Sequence, residues 1–155
     1  MAPHRTDADR TETASLELNI TRIFDAPRDV VFRAWSDPEQ AKRWWGPKGF
    51  ETTILKWDLR PGGEWRSLMR GPDGKEYPQE GVFLEILPPC RTVYTFKWVN
   101  ESDPESLITV EFADRGGKTE MTFHQREFKS VESRDSHREG WNGSFDRLAE
   151  QVKKA

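Results

Sequence analysis

Aliphatic side chains are scarce in this chain of 155 residues: Leu, Ile and Val supply 22, and with the nine Phe the total reaches only 31, a fifth of the sequence. A chain so poor in them stays disordered when its net charge is large. Here 24 basic residues stand against 27 acidic ones, and the net charge is only −3. No run approaches 18 apolar residues, which excludes a helix that spans a membrane. There is one cysteine, Cys90, so no intrachain disulfide forms and a cytoplasmic setting is expected. The three histidines and that cysteine never fall at ligand spacing, so no metal and no cofactor are expected. Basic residues are scattered among acids, and the charge footprint of a nucleic-acid binder is missing. Residues 1–15 are polar and have no signal-peptide core. They read as a flexible tail before a single domain, 16–155.

What the chain does have is rings. Seven Trp, nine Phe and two Tyr bury large areas each and can close a core that aliphatic residues alone would leave open. The periodicity of the apolar residues then sets the elements. Leu16 to Phe24 alternates and predicts a strand, with an irregularity near its end. Asp25-Ala26-Pro27 predicts a helix start, followed by Val30, Val31, Ala34 and Trp35 on one face. Asp37-Pro38-Glu39-Gln40 predicts a second short helix, with Asp37 as cap, Pro38 in the first turn and Gln40 completing a capping box. Gly46-Pro47 stops it.

From Phe50 the period is two for about eighty residues. Strands are expected over 50–59, 64–70, 75–87, 91–99, 106–112 and 118–128. The turn Arg60-Pro61-Gly62-Gly63 carries the type II pattern, and Arg115-Gly116-Gly117 reads as a hairpin. Pro78 predicts a bulge or an edge position. His137, Trp141, Phe145, Leu148 and Val152 then form one stripe of a long terminal helix. The expectation is an α+β fold: strand, two short helices, a six-stranded antiparallel meander, and a helix covering the apolar face of the curved sheet.

A sheet curled around a helix leaves room where the helix residues are small, here Gly140, Gly143 and Ser144. The neighbouring helix positions are His137, Trp141 and Phe145. The facing wall is expected from Trp65, Ser67, Met69, Tyr94, Phe96, Trp98, Met121 and Phe123, an aromatic and thioether surface with few polar groups, as small-molecule sites have. The alternative is that these side chains simply fill the core. His137 either meets a ligand as donor, acceptor or acid–base group, or is a helix-start histidine bonded to a nearby strand. Of Trp44 and Trp45, one is expected at a pocket rim and the other in the core. Glu80, Phe83 and Glu85 can each be placed on either sheet face. Ser67 and Ser144 have no evident base, and Gly62-Gly63 lies in a hairpin, so neither nucleophilic hydrolysis nor a phosphate loop is supported.

Several runs together resemble one superfamily. They are Ile20-Thr21-Arg22-Ile23-Phe24-Asp25-Ala26-Pro27, then Val31-Phe32-Arg33-Ala34-Trp35-Ser36-Asp37-Pro38, Trp44-Trp45-Gly46-Pro47, Asp58-Leu59-Arg60-Pro61-Gly62-Gly63-Glu64-Trp65-Arg66, Gly71-Pro72-Asp73-Gly74, and His137 with Gly140-Trp141 and Leu148. The pattern resembles the SRPBCC (START-like) proteins. Within them it is similar to the branch named for the C-terminal domain of the heat-shock-chaperone ATPase activator. The resemblance implies a helix-grip fold of about seven strands around a long C-terminal helix. It admits several functions: a cytosolic carrier of a small hydrophobic or aromatic molecule, a cyclase- or hydrolase-type enzyme using the same cavity, or an interaction module for a chaperone or other protein, as monomer or homodimer. A fold of this kind does not choose among them.

Overall fold

The computed structural model describes residues 16–101 and 104–153, so the expected tail, 1–15, lies outside the described residues. The alternating segments become strands and the 3.6-period segments helices. In chain order these are β1 (Leu18–Phe24), α1 (Arg28–Ser36), α2 (Pro38–Trp44), β2 (Glu51–Trp57), β3 (Glu64–Arg70), β4 (Glu76–Leu87), β5 (Arg91–Trp98), β6 (Ser106–Arg115), β7 (Lys118–Arg126) and α3 (Val131–Lys153). The seven strands make one antiparallel sheet in the order β1-β7-β6-β5-β4-β3-β2. The meander runs from β2 to β7, and β1 closes it by pairing with β7. Helix α3 lies across the concave face, and the two short helices cover the end between β1 and β2. This is the helix-grip architecture.

Local chemistry fixes the joints. The Asp37 carboxylate accepts from the Glu39 amide at 3.0 Å, capping α2, and Pro38 occupies its first turn. Gln40 does not close a full capping box; its amide nitrogen reaches the Asp37 carboxylate instead, at 3.4 Å. At Gly62, φ is +86°, the left-handed position that a type II turn demands, and the Gly63 amide closes the turn onto Arg60.

Two expectations are corrected. The first strand has no irregularity, since its pairing with β7 is unbroken. Arg22 faces inward at its edge and forms an ion pair with Asp146 of α3 at 2.7 Å, and Ile23 is exposed. Pro78 causes no bulge and does not lie on an edge strand. Its carbonyl accepts from Val99, just past the last paired residue of β5, so its nitrogen faces a stretch where the β4–β5 ladder has already ended. The bulge in β4 falls between Phe83 and Glu85. It turns Leu84 outward and lets both Phe83 and Ile86 point toward the concave side. Glu85 pairs with Arg91 on the outer face, and Glu80 lies near Arg66 there, so neither carboxylate enters the interior.

The interior is built of rings, and Trp35 is its centre. It lies within 6.4 Å, centroid to centroid, of Trp44, Tyr94, Phe112, Phe123, Trp141 and Phe145, joining α1 to α2, to three strands and to α3. Such pairs add to the area term. Gly81 makes a close approach possible: the Trp65 indole passes over it to donate to the Thr95 carbonyl at 3.1 Å. A Cβ there would overlap the Thr95 carbonyl oxygen and press on the Trp65 indole nitrogen. Gly81→Ala is therefore expected to cost about 1–3 kcal/mol in urea unfolding, as overpacked cores do. A loss within a few tenths would show that β4 and β5 are not held at this spacing.

Candidate functional site

Helix α3 approaches β1, α1 and α2 closely and stands away from β3, β4 and β5. The gap is a cleft of about 330 Å³, within the range of small-molecule pockets. Met69, Tyr77, Phe96 and Trp98 wall it from the sheet. Gly140, Trp141 and Ser144 wall it from the helix, and the turn Trp45–Phe50 forms one side of its mouth. Ser136 and Glu139 stand at the rim and are exposed.

The turn at the mouth is sewn to α3. Ser144 Oγ accepts from the Gly46 amide at 3.0 Å, and Arg147 donates to the carbonyls of Gly46, Pro47, Phe50 and Arg43, the shortest at 2.8 Å. Burial of the Arg147 guanidinium pushes its pKa down from the usual arginine value. The four carbonyl acceptors supply what water would otherwise give.

Of the wall predicted from sequence, Met69, Phe96, Trp98, His137, Trp141 and Ser144 come together around this cleft. Trp65 and Tyr94 instead border a separate void of about 10 Å³ beneath Trp35 and Trp57. Ser67 lies behind Gln79, and Met121, Phe123 and Phe145 are fully buried. The reason is that on this side the rings of β7 and α3 close directly on each other, with Phe123 4.8 Å from Trp141 and 5.3 Å from Phe145. Gly143 is also misplaced by the expectation. It does not open the cleft; a Cβ there would meet Pro47 at 3.4 Å, so its smallness serves the helix–turn contact. Trp44 is core and bonded to the Ala34 carbonyl, whereas Trp45 faces the cleft.

His137 is held on both ring nitrogens. Trp98 Nε1–H donates to its Nε2 at 2.8 Å, and its Nδ1 lies 2.7 Å from the Ser133 carbonyl. An indole only donates and a carbonyl only accepts, so the imidazole is the neutral Nδ1–H tautomer. That is the strand-bonded arrangement. With its one basic nitrogen occupied, His137 has no lone pair to offer a substrate. The Tyr94 hydroxyl, buried without a partner, has its pKa pushed well above the phenol value by burial, and it is a neutral phenol rather than a base. Among the described residues there is no cluster of His, Cys, Asp and Glu able to hold a metal ion, and no helix is long and apolar enough to cross a membrane.

Six of the seven indole N–H groups find acceptors: Trp44 on Ala34, Trp57 on Ser36, Trp65 on Thr95, Trp98 on His137, Trp45 on Gln79 and Trp141 on Gln125. The two glutamines were missed by sequence reasoning. The available signal was position: Gln79 and Gln125 stand at inward register positions of strands otherwise lined with apolar residues. A polar residue there answers a buried donor.

A helix-grip domain with an aromatic cleft between sheet and terminal helix defines the class. The family model described as "Activator of Hsp90 ATPase homolog 1-like protein" matches residues 25–153, and the chain belongs to that family. Similar solved structures share nearly the whole fold. A Chromobacterium violaceum protein is 25% identical with a TM-score of 0.84, over 88% of this chain and 96% of that one. The AHSA1 protein of Silicibacter pomeroyi is 26% identical with a TM-score of 0.80, over 88% and 97%. A Nitrosomonas europaea protein is 29% identical with a TM-score of 0.76, over 91% and 96%. No curated protein matches the sequence.

Proposed function

We propose that this protein binds a small, flat, largely apolar molecule in the cleft between β3–β5 and α3, and that it acts as a carrier or sensor of that molecule rather than as a catalyst. One observation carries this reading: the helix stands off the sheet where the wall is aromatic and thioether, leaving an open volume of about 330 Å³ in an otherwise close-packed interior. Apolar area removed from water there gives roughly 25 cal/mol per Å², enough to hold a bicyclic aromatic molecule with one or two polar contacts. The commitment of His137 to Trp98 and Ser133 favours binding over acid–base chemistry.

The test is titration of the full chain with indane, followed by tryptophan fluorescence and by NMR, since Trp45, Trp98 and Trp141 line the cleft. Saturable quenching with shifts confined to these indoles is the expected result. Native mass spectrometry of protein taken from a cell extract should show an added small mass. Absence of saturable binding up to the solubility limit of indane would remove the reading.

A further inference from the structure

Among the described residues, a nearly fully buried side chain on the sheet wall of the cleft keeps a polar atom that the protein itself leaves unanswered. Gln79, 2% exposed, lies on the sheet wall of the cleft. Its Oε1 accepts two hydrogen bonds, from Trp45 Nε1–H at 2.8 Å and from the Ser67 hydroxyl at 2.8 Å. The indole N–H can only donate, so the amide oxygen must face Trp45 and the amide cannot be flipped. Nε2, with its two hydrogens, is thereby turned away from Trp45 and Ser67 and donates to no acceptor among the described residues.

Gln125 provides the contrast within the same sheet. Its Oε1 takes the Trp141 indole at 2.8 Å, and its Nε2 donates to Ser106 Oγ at 2.8 Å, so both ends are used. Buried amide donors are paired as a rule. At Gln125 the pairing is internal, and at Gln79 the partner has to come from the cleft. The donor also stands among apolar side chains: Met69, Phe96 and Trp98 share its wall, and Trp141 faces it from the helix. A molecule that fills the cleft displaces water from around Nε2, and only an acceptor atom on that molecule restores the lost bond.

The geometry points to Gln79 Nε2 as the group that selects, among small aromatic molecules entering the cleft, those with a carbonyl-type oxygen at their buried end. Trp45 and Ser67 act through it as positioning residues. This deepens the binding reading above and rests on it.

The experiment compares 1-indanone with indane, which share a ring frame and differ in one carbonyl oxygen. With the full chain, 1-indanone is expected to bind about three- to tenfold more tightly, the range of one net hydrogen bond. In a 15N–1H spectrum the side-chain amide pair of Gln79 should move with 1-indanone and hold still with indane. Gln79→Met, close in shape but without a donor, should bring the ketone down to the affinity of the hydrocarbon. That variant also leaves Trp45 and Ser67 without their acceptor, and if it fails to fold, the two measurements on the unaltered chain decide alone. Equal affinities with an unmoved Gln79 amide would overturn the assignment of the donor while leaving the binding site standing. If neither compound binds, the site itself and this inference are both lost.

Discussion

Trp35→Ala should lower the stability of the domain by about 3–5 kcal/mol, whereas Trp35→Phe should cost far less, under about 1.5 kcal/mol. The side chain is 4% exposed and is the ring that every layer touches. Truncation removes its contacts with α2, the sheet and α3 at once, and the surrounding rings, packed on one another and with Trp44 and Trp141 also held by hydrogen bonds, collapse only partly into the hole. Phenylalanine keeps most of that packing. It also removes an indole N–H that, unlike the other six, is buried with no acceptor. A buried donor without a partner costs roughly 1–3 kcal/mol, and losing it offsets much of the smaller ring. Urea unfolding of the three proteins decides the matter. Equal losses for the two variants would mean that the Trp35 N–H is bonded and that the centre of the core is arranged differently.

Gly140→Leu is expected to abolish measurable indane binding, a loss greater than about tenfold, while the fold becomes more stable by about 1 kcal/mol. Outside its own helix, nothing lies within 4 Å of a Cβ built at Gly140, and the residue lines the cleft. Leucine is the better helix former by roughly 0.8–1 kcal/mol, and its side chain would gain apolar burial against the cleft wall. The matched control is Gly143→Leu, one turn along the same helix. There the new side chain would drive against Pro47 and the turn that Arg147 and Ser144 hold, so stability should fall. Stability gained at 140 and lost at 143 distinguishes an open cleft from ordinary close packing. A destabilised Gly140→Leu with unchanged indane binding would place the ligand elsewhere.

Much of this architecture could be read from residue order. The inward faces of β3 and β5, with Trp65, Ser67 and Met69 or Tyr94, Phe96 and Trp98, follow from strict alternation. The Asp37 cap follows from Asp before Pro at a helix start, and the stripe on α3 that buries Trp141, Phe145, Leu148 and Val152 follows from steps of three and four. In β4 alternation misleads, because a bulge resets the phase after Phe83, and no local residue in that segment announces it. The candidate site was legible by half for a similar reason. Periodicity assigns a residue to the concave face but does not measure the distance from that face to the helix. Met121 and Met69 are equivalent on that count, yet one is sealed in the core and the other borders the cleft.

The sequence by itself determined the elements, their order and the apolar faces, because backbone propensity, turn chemistry and side-chain period act over a few residues. It also determined that the core would be aromatic, since little else was on offer. Tertiary structure alone decided where that core is incomplete. Helix α3 is joined to β1 by the Arg22–Asp146 pair and bonded to the α2–β2 turn by Arg147 and Ser144. Contacts between residues about a hundred positions apart thus fix where it lies, and the space over β3–β5 is left beside it. The same long-range geometry turns Gln79 into a donor facing the cleft and makes His137 a partner for Trp98, roles that depend on which neighbour reaches each nitrogen and oxygen first.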